Sequence, residues 1–430
     1  MHWRSGLLLC GVLLGQALAF DPVAAQLRGH GGPVRALAVS GDGERALSGS
    51  FDGSAILWSL RSDAAQQVLR FHDSAVNAAA LLKDGRALTA GEDSRIALWV
   101  PGNSTPATVL LGHKGPVVGL AVSPDGGMLA SASWDGTIRL WPLAGGAPVV
   151  LEGHRQNVNG VAFTPDGTAV VSAGYDATVR IWPLREPAAP IVTALPAPLN
   201  AVAVAPDGEI AAGGADGQVY FLTPQGERRA SVEAVPTPII ALALSGDGAH
   251  LAAASIRGAV AIIDRTARHL TRTLVGPALP VWSLAFLPDN RTLLSGGADR
   301  VIRRWDSETG AEIGSSAAGG AEDPLAAYEG DPGARVFRAC MACHTLTAAE
   351  GNRAGPSLHA IFGRRIATLP GYNYSEPLKH LDIVWTPETL AKLFEIGPAR
   401  YTPGTKMPEQ QIGSPEDRAA LIKFLERATR

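Results

Sequence analysis

An acidic residue in a tight turn, followed six residues later by tryptophan, recurs along the chain: Asp52 and Trp58, Asp93 and Trp99, Asp135 and Trp141, Asp176 and Trp182, and Asp299 and Trp305. Between the fourth and the last of these, Asp216 with Leu222 and Arg257 with Ile263 hold the same places in weakened form. The seven turn positions lie 40 to 42 residues apart. A period of that length restricts the fold severely, because each unit must bury its apolar face against the next. In the first unit, Val34 to Val39 is followed by a Ser-Gly-Asp-Gly turn, then Arg45 to Ser48, an Asp-Gly turn at Asp52-Gly53, and Ala55 to Trp58. Short apolar runs separated by Asp-Gly turns predict antiparallel hairpins. Four strands per unit and seven units predict a ring of sheets closed about an axis. Abundant glycine (49) and proline (31) suit the many turns of such an all-β majority.

A second set of residues travels with the period. His30, His72, His113 and His154 each precede a turn aspartate by 21 or 22 residues. Ser48, Thr89, Ser131 and Ser172 each stand four before it. With Gly-His near the start of a unit (Gly29-His30, Gly112-His113, Gly153-His154, and Phe71-His72 as a variant) and Trp near its end, residues 20–306 resemble the WD40 repeat family. The resemblance implies a seven-bladed propeller in which His, Ser or Thr, Asp and Trp form one buried hydrogen-bonded chain per blade. The histidines are therefore read as structural and not as metal ligands. Units five and six carry Ala212, Ala253, Leu222 and Ile263 at the set's positions, so apolar packing is expected to hold them. Pro22 to Arg28 resembles the outer strand of the other units and is expected to complete the last blade; Ala311 to Ser316 competes for the same place. Phe51, Trp134 and Tyr175 each precede a turn aspartate. In the WD40 family that position tends to lie on the partner-binding face, and large aromatics there resemble an interface hot spot.

The chain opens with His2 and Arg4, an apolar stretch from Gly6 to Leu18, and small residues at Ala17-Leu18-Ala19. This predicts a signal peptide over 1–19 with cleavage near Ala19, and a periplasmic or otherwise exported protein. The apolar stretch is shorter than the ~20 residues of a spanning helix, so no transmembrane segment is expected in the mature chain. Cys10 would leave with the signal, and only Cys340 and Cys343 would remain. A net charge of -3 with 18% charged residues gives no basic bias for a nucleic-acid partner. Residues 307–330, with Gly314 to Ala321 rich in small residues, are expected to be a flexible linker.

Cys340-Met341-Ala342-Cys343-His344 is the attachment signature of a covalent haem. Each thiol adds to one vinyl group, so both must lie on one side of a helical turn, and the histidine then falls under the iron. Zinc would need four ligands, and a thioredoxin-like redox pair would need a βαβ context. Residues 331–430 shift to helical patterning. Apolar residues over 333–344 predict a helix leading into the motif. Thr386-Pro387-Glu388 and Ser414-Pro415-Glu416 are helix starts. The last helix is expected to run to about Thr429, burying Ala419, Leu421, Ile422 and Leu425.

Together with the haem motif, Gly355 to His359, Phe362-Gly363-Arg364, Gly371 to Ser375, Trp385 and Tyr401 to Met407 closely resemble class I cytochrome c, in its mitochondrial and c2-like branch. The resemblance implies an all-α domain with one covalent haem c, its iron held by His344 and Met407. It implies that the Pro356 carbonyl fixes the His344 tautomer, that Arg364, Tyr374 and Trp385 serve the propionate region, and that Thr405 steadies the Met407 loop. Two positions depart from the family. Leu393 stands where a tyrosine is usual, and Leu378 where an asparagine is usual, which thins the polar network beneath the methionine. The family's ring of lysines around the haem edge is also sparse.

The fold expected is a seven-bladed WD40 propeller followed by an all-α class I cytochrome c domain. The function expected is single-electron transfer to redox partner proteins, with the propeller as a docking scaffold and no catalytic residues of its own. A propeller-haem oxidoreductase with a catalytic site in the propeller is the rival. A haem-based redox sensor, in which Met407 leaves the iron, is a third reading.

Overall fold

A computed structural model describes residues 26–430 apart from 186–187, 277, 315–324, 349 and 408. The expected signal peptide, Cys10 and most of the small-residue run after Gly314 lie outside the described residues. Seven four-stranded antiparallel sheets form the seven blades. Blade one comprises Val34–Val39, Arg45–Ser50, Ser54–Ser59 and Ala64–Arg70. The inner strand of each blade packs on the second strand of the blade before it, with Val34 against Gly296 and Val76 against Gly49. Those two glycines are needed, because a Cβ at either would strike the neighbouring valine.

The ring closes as the outer-strand pattern predicts. Gln26–Arg28 pairs antiparallel with Val301–Asp306 and supplies the fourth strand of the blade that the C-terminal end of the propeller sequence builds. A one-strand swap of this kind makes the first and last blades depend on each other. The rival segment also contributes, since Glu312 forms a bridge with Trp305 and its carboxylate pairs with Arg303. Residues 307–313 thus turn back onto blade seven. Arg304 crosses to blade one, where it bonds the Leu60 carbonyl at 2.9 Å and the Asp63 carboxylate.

The polar chain runs through blades one to four. In blade three, His113 Nδ1 donates to Asp135 at 2.8 Å, and its Nε2 lies 2.7 Å from Ser131 Oγ. That hydroxyl in turn accepts from Trp141 Nε1 at 2.8 Å. Blades one, two and four repeat this through Ser48, Thr89 and Ser172. Both ring nitrogens of each histidine are therefore engaged. Burial pushes His113 and His154 below the usual imidazole range, although their bonds to Asp135 and Asp176 act the other way. Blade seven keeps only the tryptophan link, Trp305 Nε1 to Ser295 Oγ at 2.8 Å.

Blade five corrects one expectation. It does not rest on apolar packing alone: buried Tyr220 donates its hydroxyl to Asp216, replacing the missing tryptophan chain with a shorter one. Blade six is apolar at these positions, with Ala253 and Ile263 fully buried.

Helices of the C-terminal region are short. They span Pro332–Phe337, Glu376–Lys379, Pro387–Ile396, Pro398–Tyr401 and Pro415–Ala428. Much of the region is loop, so its helical character is only partial. The helix expected over 333–344 ends at Phe337, and the chain continues in turns through the haem motif. The two predicted helix starts are capped, by the Thr386 hydroxyl on the Thr389 amide and by the Ser414 hydroxyl on the Asp417 amide. In the last helix the buried stripe is Leu421, Ile422, Phe424 and Leu425, while Ala419 is exposed. Phe424 is central: it meets Phe337 at 5.3 Å and Tyr328 at 5.1 Å between ring centroids. The first helix crosses the last so closely that a Cβ at Gly333 would overlap the Ala420 carbonyl. Among the described residues, no helix is long and apolar enough to cross a membrane.

Candidate functional site

The turn at 340–344 is helical in its bonding. The amides of Cys343 and His344 both donate to the Cys340 carbonyl, at 3.1 and 3.0 Å. One turn thereby presents two thiols and an imidazole together. His344 Nδ1 donates to the Pro356 carbonyl at 2.8 Å, which fixes the tautomer and leaves Nε2 unprotonated as a donor to a metal. Gly355 lies beneath the ring, where a Cβ would come within 2.7 Å of Nδ1. The Gly355 amide bonds the Cys343 carbonyl at 2.7 Å.

These groups open on a cavity of about 1350 Å³, counted to its mouth. Cys340, Cys343, His344, Pro356, Arg364, Tyr374, Trp385, Thr405 and Met407 all line it. Between them the walls are apolar, with Leu358, Ile361, Leu390, Phe394 and Leu421. Leu378 and Leu393 line it too. Thr405 Oγ1 accepts from the Met407 amide at 3.1 Å, so the methionine loop is tied down locally.

The polar end of the cavity has an unusual cation. The Arg364 guanidinium donates to the carbonyls of Ser357 (2.9 Å) and His359 (3.2 Å), and no carboxylate among the described residues is bonded to it. Burial pulls its pKa down, and the Tyr374 hydroxyl beside it is pushed up to about 12. A buried guanidinium facing a cavity suits an anionic group. Burial also pushes the Cys340 thiol up to about 12 and Cys343 to about 11. Two thiols, an imidazole, a thioether, apolar walls and a buried cation fit a haem c held covalently.

The Cytochrome c family matches residues 330–429. Cytochrome c of Cochliobolus lunatus is 44% identical over 99 residues, which is 23% of this chain and 91% of that protein. Cytochrome c of Arabidopsis thaliana is also 44% identical over 99 residues, covering 88% of its length. That of Ginkgo biloba is 40% identical over 103 residues, covering 90%.

This chain belongs to the cytochrome c family.

The likeness is confined to the cytochrome c domain. Ahead of it, the WD domain, G-beta repeat family matches residues 22–59, 64–100, 104–142, 147–183 and 268–306. Blade five and the first three strands of blade six fall in the gap, and these two blades lack the Trp-centred chain. The cytochrome c domain carries one covalently bound haem c.

The propeller has a second concave site, at the mouth of its central channel. Its volume is about 680 Å³. The second residue of every inner strand lines it: Arg35, Asn77, Val118, Asn159, Asn200, Ile240 and Trp282. Trp134 and Tyr175 stand on its rim. Phe51 stacks on Trp282 with centroids 5.0 Å apart, so all three predicted aromatics gather on one face. They are 42–46% exposed. Trp134 Nε1 donates to Asn159 at 3.0 Å. Arg35 lies 6.0 Å over the Trp282 ring. The sequence reading missed Trp282 and Arg35, although stacking the seven repeats would have aligned them in one column.

Proposed function

We propose that this protein is an exported electron-transfer cytochrome whose propeller docks partner proteins. The carrying observation is the single cavity that gathers all nine expected haem residues. When bound, the haem supplies a one-electron couple at its iron. The chain's own residues do the rest. His344 Nε2 and the Met407 thioether would hold the iron, and a thioether ligand would favour its reduced form and raise the potential. Pro356 holds the imidazole, and Thr405 holds the methionine loop. Arg364, Tyr374 and Trp385 accommodate the propionates, with Arg364 offsetting their charge in a buried site. The leucines at 378 and 393 leave the methionine side with few polar supports.

The exposed aromatics of the channel mouth support a docking role for the propeller, since clustered aromatics beside one arginine have the composition of an interface hot spot. Export rests on the N-terminal pattern and on the chemistry of haem attachment. Absorption spectra of the protein exported from cells that mature c-type haem test this reading. The near-infrared band of a methionine–iron bond in the oxidised form is expected. Its absence in wild type, with spectra like those of a Met407→Ala variant, would refute the closed-haem reading.

A further inference from the structure

The cytochrome c domain does not hang free of the propeller. The Ala354 amide donates to the Gly29 carbonyl at 2.8 Å. Lys406 Nζ donates to the His72 carbonyl at 2.7 Å and lies 3.8 Å from Asp73 Oδ1. Asn373 bonds the Ser104 carbonyl of blade two. The backbone at Gly31 lies directly on the sulfur of Cys343, leaving no room for a side chain. Gly29, Gly31, His72 and Asp73 all belong to connections that lead into inner strands, at one end of blades one and two.

The contact reaches the haem cavity itself. Asp52 and Arg70, both propeller residues, line it. Asp52 is already occupied by His30, the Gly31 amide and Ser54. Arg70 is engaged on one side only. Its guanidinium lies 5.6 Å over the Tyr372 ring and interacts with its hydroxyl, while its buried Nε has no hydrogen-bond partner among the described residues. A buried, unpartnered guanidinium nitrogen is costly unless something in the site meets it. Here the cavity is shaped for a haem, whose edge carries anionic propionates.

We propose that the rim of blades one and two is the docking surface for the haem edge of this chain's own cytochrome c domain, and that Arg70 is a haem-site residue supplied by the propeller. This rests on the haem reading of the cavity but not on a closed methionine-ligated iron. Two consequences follow. An external partner meets a composite surface of propeller and cytochrome in place of a bare haem edge. The Lys406 ammonium, which could steer an acidic partner, is engaged within the chain. Arg70 should also favour the reduced haem, because a nearby positive charge in a low-dielectric site opposes the extra charge of the oxidised iron.

Carbodiimide coupling of the full-length, haem-loaded protein tests the docking. It joins a carboxylate to an amine only when they are in contact. The expected product is a Lys406–Asp73 link within the monomer, unchanged on dilution and absent from an Asp73→Asn variant. A monomer fraction without that link would overturn the docking. A redox titration of Arg70→Gln in the full chain tests the second part: a lower potential than wild type is expected, with the methionine–iron band retained. An unchanged potential would remove Arg70 from the haem site. Absence of the band in wild type would refute the closed-haem reading alone, and the cross-link would still decide the docking.

Discussion

The propeller and the cytochrome c domain solve the same problem, hiding a core, in opposite ways. The propeller fills its interior with its own strands, and blades one to four thread a hydrogen-bonded polar chain through it. The cytochrome c domain wraps short helices and long loops around a cavity its own side chains do not fill. Its buried helix contact at Gly333 and Phe424 is close, yet His344 and Met407 both face the cavity and not the packed core. The first region is therefore self-sufficient, and the second counts the haem as core. The first depends on closing a ring, the second on attaching a cofactor.

The sharpest way to break this contrast is to block attachment. A Cys340→Ser/Cys343→Ser double variant should lose the fixed structure of residues 331–430 while the propeller melts as before. Loss of one of two calorimetric transitions, together with rapid proteolysis of the C-terminal region, would show it. Next in size is the ring closure. Leu27, fully buried in the swapped strand, faces the core between blades seven and one. Leu27→Ala should destabilise the propeller by about 2–5 kcal/mol, measured by denaturant unfolding, with the haem spectrum unchanged.

The polar chain comes next. Ser172→Ala removes the hydroxyl between His154 and Trp182 and leaves two buried groups unpaired. It should cost about 1–3 kcal/mol. Acid provides a related test. His113 and His154 have folded pKa values below 6.5, mainly through burial. The unfolded chain therefore takes up their protons first, and stability falls as pH drops below about 6.5. Asp135 is lowered to about 2 because bonds from the Lys114 amide, Thr137 and His113 outweigh its burial, which acts the other way. It adds a second loss between about pH 4 and pH 2. Thermal melting of the propeller at pH 7, 5.5 and 3 should give a descending series. A flat series would mean that the polar chain carries no linked protons. The smallest effect belongs to the channel mouth: Trp134→Ala should alter stability by less than about 0.5 kcal/mol, while weakening capture of a partner protein.

What could be read from the residues follows the same contrast. The Asp-to-Trp spacing was legible because a hydrogen-bonded chain that joins a loop, a turn and two strands tolerates no change of register. Blade five was read only in part. Its tyrosine bonds the turn aspartate from four residues away, so a search for tryptophan six residues on passes over it. In the cytochrome c domain the residues singled out by motif come together on one cavity. Helix extent was harder. The Val336, Phe337 and Ala339 pattern continues past Phe337, but the chain leaves the helix to deliver Cys340 and Cys343 on one turn. Contacts between the regions had no local signature at all. Gly31 and Cys343, or His72 and Lys406, lie hundreds of residues apart, and a glycine that clears a sulfur looks the same in sequence as one that makes a turn.

Spectroelectrochemical titration of the full-length haem-loaded protein, with and without carbon monoxide, addresses the proposed role most directly. A single reversible one-electron wave that carbon monoxide does not move is the result expected of a carrier with both axial positions closed by His344 and Met407. A wave that shifts upward under carbon monoxide would mean that Met407 leaves the iron, and would contradict simple electron transfer in favour of a sensing or catalytic haem.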